Sequence, residues 1–187
     1  MQVTLLKKES AKVSLWAGGT THEVAVYPKD ALYSQRDFLY RVSFAECEGE
    51  KADFTNLPGY MRKLSLIDGE IKLYLDEGAE VKSLKPCEIF TFDGEDKISS
   101  EGKCTDFNVM MRKGKCDGSL EAFELSGSTV ISLEEDESAC VFLTEGEAVC
   151  FGEKAEAFEG FLIEGESDIP IEGKAKGFIA ILYVPSF

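Results

Sequence analysis

The chain has 187 residues, 44% of them hydrophobic and 29% charged, enough to bury the core of one large domain or two small ones and unlike a disordered or fibrous composition. Its 35 acidic and 20 basic residues leave a net charge of -15, which argues against an electrostatic grip on nucleic acid or on an anionic membrane surface. All four arginines, Arg36, Arg41, Arg62 and Arg112, precede residue 113, so a bound anion would be held by a few guanidinium groups in the first part of the chain.

The opening MQVTLLKKES has no apolar core of signal-peptide length, and the longest apolar run, Phe178 to Val184, is too short to span a bilayer. A cytoplasmic protein is expected. Next comes SLWAGGTTHEV, from Ser14 to Val24. A phosphate loop would need a Gly-Lys-Ser/Thr ending and a following helix, and a dinucleotide fingerprint would need three spaced glycines. Instead, the residues after Gly18-Gly19 alternate as a strand does, so the stretch reads as a turn between two strands. His22 is the only histidine, which excludes a histidine-rich metal centre; it is expected to be exposed on its strand.

Arg41 to Ala45 alternates as a strand, with Arg41, Ser43 and Ala45 on one face and Tyr40, Val42 and Phe44 on the other. If the arginine face looks inward, the guanidinium needs an anionic partner from the protein or a ligand. Strands are also expected at Lys63 to Leu66, Ile71 to Leu75, Val130 to Leu133 and Ile179 to Val184. Asp106 to Arg112 places Asp106, Asn108 and Met110 on one face, either the wall of a small-molecule pocket or the polar side of an edge strand. The six cysteines form no Cys-x-x-Cys pair, so neither a zinc site nor a disulfide framework is signalled, and most are expected to be buried thiols.

Acidic-Gly pairs such as Asp68-Gly69, Asp93-Gly94, Glu145-Gly146 and Glu164-Gly165 recur as turn signals, the spacing of an all-β sandwich or barrel. The pattern also repeats. Leu66 to Glu70 followed by Ile89 to Glu95 has a counterpart in Leu143 to Glu147 followed by Phe158 to Glu166, with a seam near residues 112 to 118.

Trp16 to Glu23, Phe38 to Ala45, Phe54 to Arg62 and Asp106 to Arg112 resemble, in order and spacing, the successive signatures of the HutD/Ves family. The resemblance covers roughly residues 3 to 112. It implies a bicupin: two antiparallel jelly-roll β-barrels packed as one compact unit, with an N-terminal barrel over 1–112 that holds the pocket and a C-terminal barrel over 113–187. It further implies a cytoplasmic bacterial protein without established catalysis or cupin metal motif, linked to histidine utilisation.

The leading expectation is a protein that binds a small carboxylate-bearing metabolite without a metal or other cofactor. Arg41 and Arg62 would bond the carboxylate, Thr21, Ser43 and Asn108 would orient the ligand, and Trp16, Phe54 and Met110 would exclude water. Glu23 and Asp106 would hold the arginines or accept a ligand N–H. The alternative is a metal-independent isomerase or hydrolase of a small acid or sugar, with Glu23 or Asp106 as general base. A third reading gives the acidic surface to a protein partner, such as a second copy in a homodimer.

Overall fold

The computed structural model describes residues 1–186, which form β-strands joined by short loops and single 3-10 turns. Two compact units divide the chain, one running from Lys12 to Lys113 and the other combining Met1–Ala11 with the chain from Gly114 onward. The break after Lys113 falls where the sequence pattern is interrupted. The first eleven residues differ from the expected boundary: β1 (Gln2–Leu6) pairs antiparallel with β13 (Gly160–Glu164) and so joins the second unit.

The unit from Lys12 to Lys113 holds an antiparallel sheet built from β2 (Lys12–Trp16), β3 (Gly19–Tyr27), β4 (Tyr40–Asp53), β5 (Tyr60–Gly69), β8 (Phe90–Asp93) and β9 (Ser99–Arg112). Its order is β2-β3-β4-β9-β5-β8, and the hairpin of β6 (Ile71–Leu75) and β7 (Glu80–Leu84) joins through β9. Strand β9 therefore lies between β4 and β5 and is not an edge strand. Both faces of β4 and β9 are buried: Tyr40, Val42, Phe44, Phe107, Val109 and Met111 on one, Arg41, Ser43, Asn108 and Met110 on the other. Such strands read as apolar alternating with polar, although neither side faces open solvent.

The second unit orders β1-β13-β11-β14-β10, with β10 (Asp117–Leu133), β11 (Glu137–Cys150) and β14 (Ser167–Tyr183); β12 (Glu153–Glu156) pairs with β11. Its core is a cluster including Leu125, Val141, Leu143, Phe161, Ile163, Ile169 and Ile171. Neither sheet closes into a hydrogen-bonded barrel among the described residues. No helix among them is long and apolar enough to cross a membrane.

The repeat is visible strand by strand. The order β4-β9-β5-β8 is reproduced as β10-β14-β11-β13. Each copy has a bulge at the same place: Leu66 pairs with Asp106 and Asp68 with Thr105, while Leu143 pairs with Gly177 and Glu145 with Lys176. The glycine after each bulge has positive φ, and a Cβ there would lie 2.3 Å from the Lys103 carbonyl at Gly69 and 2.0 Å from the Lys174 carbonyl at Gly146. Only glycine fits such an approach. Asp68-Gly69 and Glu145-Gly146, read in sequence as turns, are thus bulges within paired strands.

Candidate functional site

The SLWAGGTTHEV stretch forms the hairpin of β2 and β3, with Trp16 paired to Gly19 and Ser14 to Thr21. Backbone crowding dictates Gly19, whereas Gly18 lies against the movable Trp16 ring. A Cβ on Gly18 would meet the Trp16 ring at 2.1 Å, and one on Gly19 would meet the Glu46 carbonyl at 1.9 Å. The indole N–H of Trp16 donates to the Thr21 hydroxyl at 3.1 Å, fixing the ring over the hairpin. His22 departs from expectation. It is half-buried, its ring stacks on Phe44 at 4.4 Å and 4°, and its Nδ1 is buried without a hydrogen-bond partner.

The hairpin borders a cavity of about 320 Å³ within the Lys12–Lys113 unit, toward the small end of ligand sites, which run from about 300 to 1,000 Å³. Trp16 and Thr21 line it from β2 and β3, Arg41 and Ser43 from β4, and Arg62 from β5. Asp106, Asn108 and Met110 line it from β9, and Phe54 from the segment after β4. Register explains the convergence. Arg41 and Arg62 both pair with Met110, Ser43 pairs with Asn108 and Ala45 with Asp106, so alternation turns one face of three adjacent strands into a wall.

Glu23 does not line the cavity. It accepts a 2.6 Å hydrogen bond from Arg41 Nε in a largely buried ion pair. Arg41 Nη1 lies 3.4 Å from the Ser43 hydroxyl, and the Tyr33 ring covers its guanidinium at 4.6 Å. Tyr33 and Cys47 also line the cavity and were missed in the sequence. Tyr33 sits in a 3-10 turn, where no periodicity marks a facing. Cys47 is legible: the alternation Arg41, Ser43, Ala45 continues to it.

Arg62 differs from Arg41. It is 5% exposed, its Nε is buried without a hydrogen-bond partner, and its Nη1 donates to the Thr55 carbonyl at 3.4 Å. The rings of Phe54 and Phe92 lie 5.2 and 4.9 Å away. Burial pulls its pKa down to about 10, with Arg41 and Arg36 contributing in the same direction. Asn108, 7% exposed, has its Oδ1 buried without a partner. The wall thus presents a cation without an ion pair and an unused acceptor.

Asp106 is partly accessible by surface yet enclosed by protein, and lost hydration pushes its carboxyl up to about 6 against the opposing effects of Cys47 and Arg62. The Cys47 thiol donates to Asp106 Oδ2 at 3.4 Å. Hydrogen bonding with Cys104, then burial and the Asp106 charge, raise the Cys47 pKa far above the ordinary thiol range, so Cys47 is not an activated nucleophile. A group whose folded pKa is raised contributes stability below its unfolded pKa and loses it as pH rises through the folded value. Asp106→Asn should therefore match wild type near pH 4 and exceed it by about 2 kcal/mol at neutral pH in metal-free buffer. Urea unfolding at both pH values checks this; equal stability at neutral pH would contradict it.

The second unit has a cavity of about 380 Å³ on the corresponding strands. Applying the shared bulge and register, the places of Arg41, Arg62, Asp106 and Asn108 are taken by Ser119, Ala139, Gly177 and Ile179. Its lining includes Phe123, Ile131, Ile179 and Ile181, with Glu121 at the place of Ser43. One repeat carries the guanidinium groups and the other does not.

Solved structures place the fold in the cupin-like class. Bacterial pirin YhhW from Escherichia coli, in a structure described as a nickel(II) complex, covers 100% of both chains at TM-score 0.73 and 8% identity. Lactobacillus farciminis oxalate decarboxylase covers 98% of this chain and 86% of its own at 0.70 and 7%. Within that class the chain belongs to the HutD family, whose model matches residues 8–181. HutD from Pseudomonas fluorescens matches 99% of this chain and 100% of its own at TM-score 0.82 and 24% identity. Protein Ves of Cronobacter sakazakii is 34% identical over 110 residues, 56% of this chain and 58% of that protein. An uncharacterised 21.2 kDa protein in the hutC 3′ region of Pseudomonas putida is 27% identical over 128 residues, 66% of this chain and 65% of that one. The matched stretch therefore spans about three fifths of the curated relatives' length.

Proposed function

We propose that the Lys12–Lys113 unit binds a small carboxylate-bearing metabolite in the cavity walled by β4, β5 and β9, and that each unit is one jelly-roll of a bicupin. The observation that carries the ligand reading is Arg62: a buried guanidinium facing a cavity, with a partnerless Nε and no ion pair to a carboxylate among the described residues. A buried cation is costly until an anion or a full set of acceptors meets it. A ligand carboxylate supplies both the charge and the acceptors, and a ligand N–H or O–H would satisfy Asn108 Oδ1. Arg41, already held by Glu23, would give a second, oriented contact.

The hutC-region relative motivates a panel of histidine, urocanate and the formylated and formimino glutamates. In thermal-shift assays a true ligand at 100 times its Kd should add about 2.7 kcal/mol of stability. Arg62→Met, which leaves a folded protein, should lower that shift to about 1.4 kcal/mol or less, the value for a tenfold weaker affinity. A panel that leaves the wild-type transition unmoved contradicts the reading.

A catalytic reading has one favourable observation: Asp106 lines the cavity and makes no ion pair among the described residues, whereas Glu23 is committed to Arg41. Asp106 would then be the general base. Turnover of a panel member that disappears in Asp106→Asn would assign that role; absence of turnover in the wild type removes it.

A further inference from the structure

Below the hairpin, β4 and β9 bring two sulfurs and a carboxylate together. Cys47 and Cys104 are direct cross-strand partners, and Asp106 lies two residues along β9 on the same face. Their donor atoms all lie within 4.8 Å of one another. Cys47 and Asp106 also line the cavity, while Cys104 is buried against the core of that unit.

We propose that Cys47, Cys104 and Asp106 form a three-donor site for a thiophilic divalent ion such as Zn²⁺, with its fourth coordination position open to the cavity. Tetrahedral bonds of about 2.3 Å to sulfur and 2.0–2.2 Å to oxygen place a sulfur and an oxygen ligand about 3.5 Å apart and two sulfurs about 3.8 Å apart. The Cys47 Sγ to Asp106 Oδ2 distance is 3.4 Å, and no donor pair exceeds 4.8 Å. The cluster therefore needs little movement to close on an ion. Two thiolates and a carboxylate favour a soft or borderline metal over Mg²⁺ or Ca²⁺.

Charge balance is favourable. On binding, the ion displaces the thiol protons to solvent, and three anionic donors around a divalent cation leave one net negative charge. Arg62 lines the same cavity and supplies a positive charge nearby. The site does not depend on the identity, or the existence, of an organic ligand.

The test is titration of chelator-treated, fully reduced protein with Cd²⁺ alone, followed by the thiolate-to-cadmium charge-transfer band in the ultraviolet. The band should grow to one equivalent in the wild type and in Cys87→Ser, which removes the exposed cysteine. It should be lost in Cys47→Ser and in Cys104→Ser. Asp106→Asn should weaken binding at least tenfold, because losing a ligand should cost no less than losing an outer-shell partner. If a cysteine variant does not fold by circular dichroism, cadmium NMR of the wild-type complex decides, since two-sulfur ligation has a chemical shift distinct from oxygen-only ligation. No band at one equivalent, a band that survives Cys47→Ser, or an oxygen-only cadmium shift would overturn the proposal. Because no organic ligand is added, failure here leaves the carboxylate test unaffected, and the carboxylate panel is run with chelator present.

Discussion

Arg62→Met is expected to make the ligand-free protein more stable, not less, by about 1–2 kcal/mol in chelator-containing buffer. Burial holds the Arg62 pKa down at about 10, well below the usual guanidinium range, which corresponds to about 3 kcal/mol of unfavourable charge burial. Removing the cation also removes its contacts with the Phe54 and Phe92 rings, each worth about 0.5–1 kcal/mol. The difference favours methionine, whose unbranched chain follows the arginine stem and meets the same rings. Urea unfolding of both proteins at neutral pH reads the sign directly. A variant destabilised by more than about 1 kcal/mol would mean that Arg62 is a satisfied structural residue, beyond the usual scatter of measured substitutions.

Glu23→Ala should have the opposite and larger effect, a loss of about 3 kcal/mol. Both members of the Arg41–Glu23 pair are largely enclosed, with side chains 6% and 11% exposed. Deleting the carboxylate strands a guanidinium whose remaining supports are a 3.4 Å contact to Ser43 and the Tyr33 ring. Adding Arg41→Met to Glu23→Ala should recover most of the loss, because an apolar replacement of both partners leaves no buried charge. A double-mutant cycle by urea unfolding checks the coupling. Additive losses, or a Glu23→Ala cost below about 0.5 kcal/mol, would place the pair among solvated ion pairs of little energetic weight.

The contrast between the two arginines also explains what could be read from the sequence. Alternation sorted Arg41 with Ser43, and Asp106 with Asn108 and Met110, onto the faces that line the cavity. Period-2 geometry fixes the facing of a side chain once a strand is recognised. It does not tell which face is enclosed, and here both are. Of the two readings open for Asp106 to Arg112, the edge strand falls for that reason, because the polar face borders a cavity in the interior of a sheet.

Glu23 lies on the expected strand and holds Arg41, one of the two roles expected of it, but which arginine it holds is set by a contact 18 residues away that no local spacing encodes. Tyr33 enters through a loop turn without periodicity. The exposed setting expected for His22 overlooked its cross-strand partner, Phe44, whose ring covers it. The repeat was legible because it rests on local chemistry: the glycines after each bulge, Gly69 and Gly146, sit against a neighbouring carbonyl that leaves no room for a Cβ. The swap of Met1–Ala11 into the other unit was not legible, since strand pairing between Gln2–Leu6 and Gly160–Glu164 joins segments far apart in sequence.

On the proposed function, the buried guanidinium of Arg62 awaits an anion in the cavity. Isothermal titration of the most stabilising panel carboxylate into wild type and Arg62→Met, with chelator present in both, tests it most directly. One site per chain is expected in the wild type and affinity at least about tenfold weaker in the variant, the loss of one charge-assisted hydrogen-bonding group. Equal affinity in the two proteins would show that the carboxylate binds elsewhere and that Arg62 is not its partner.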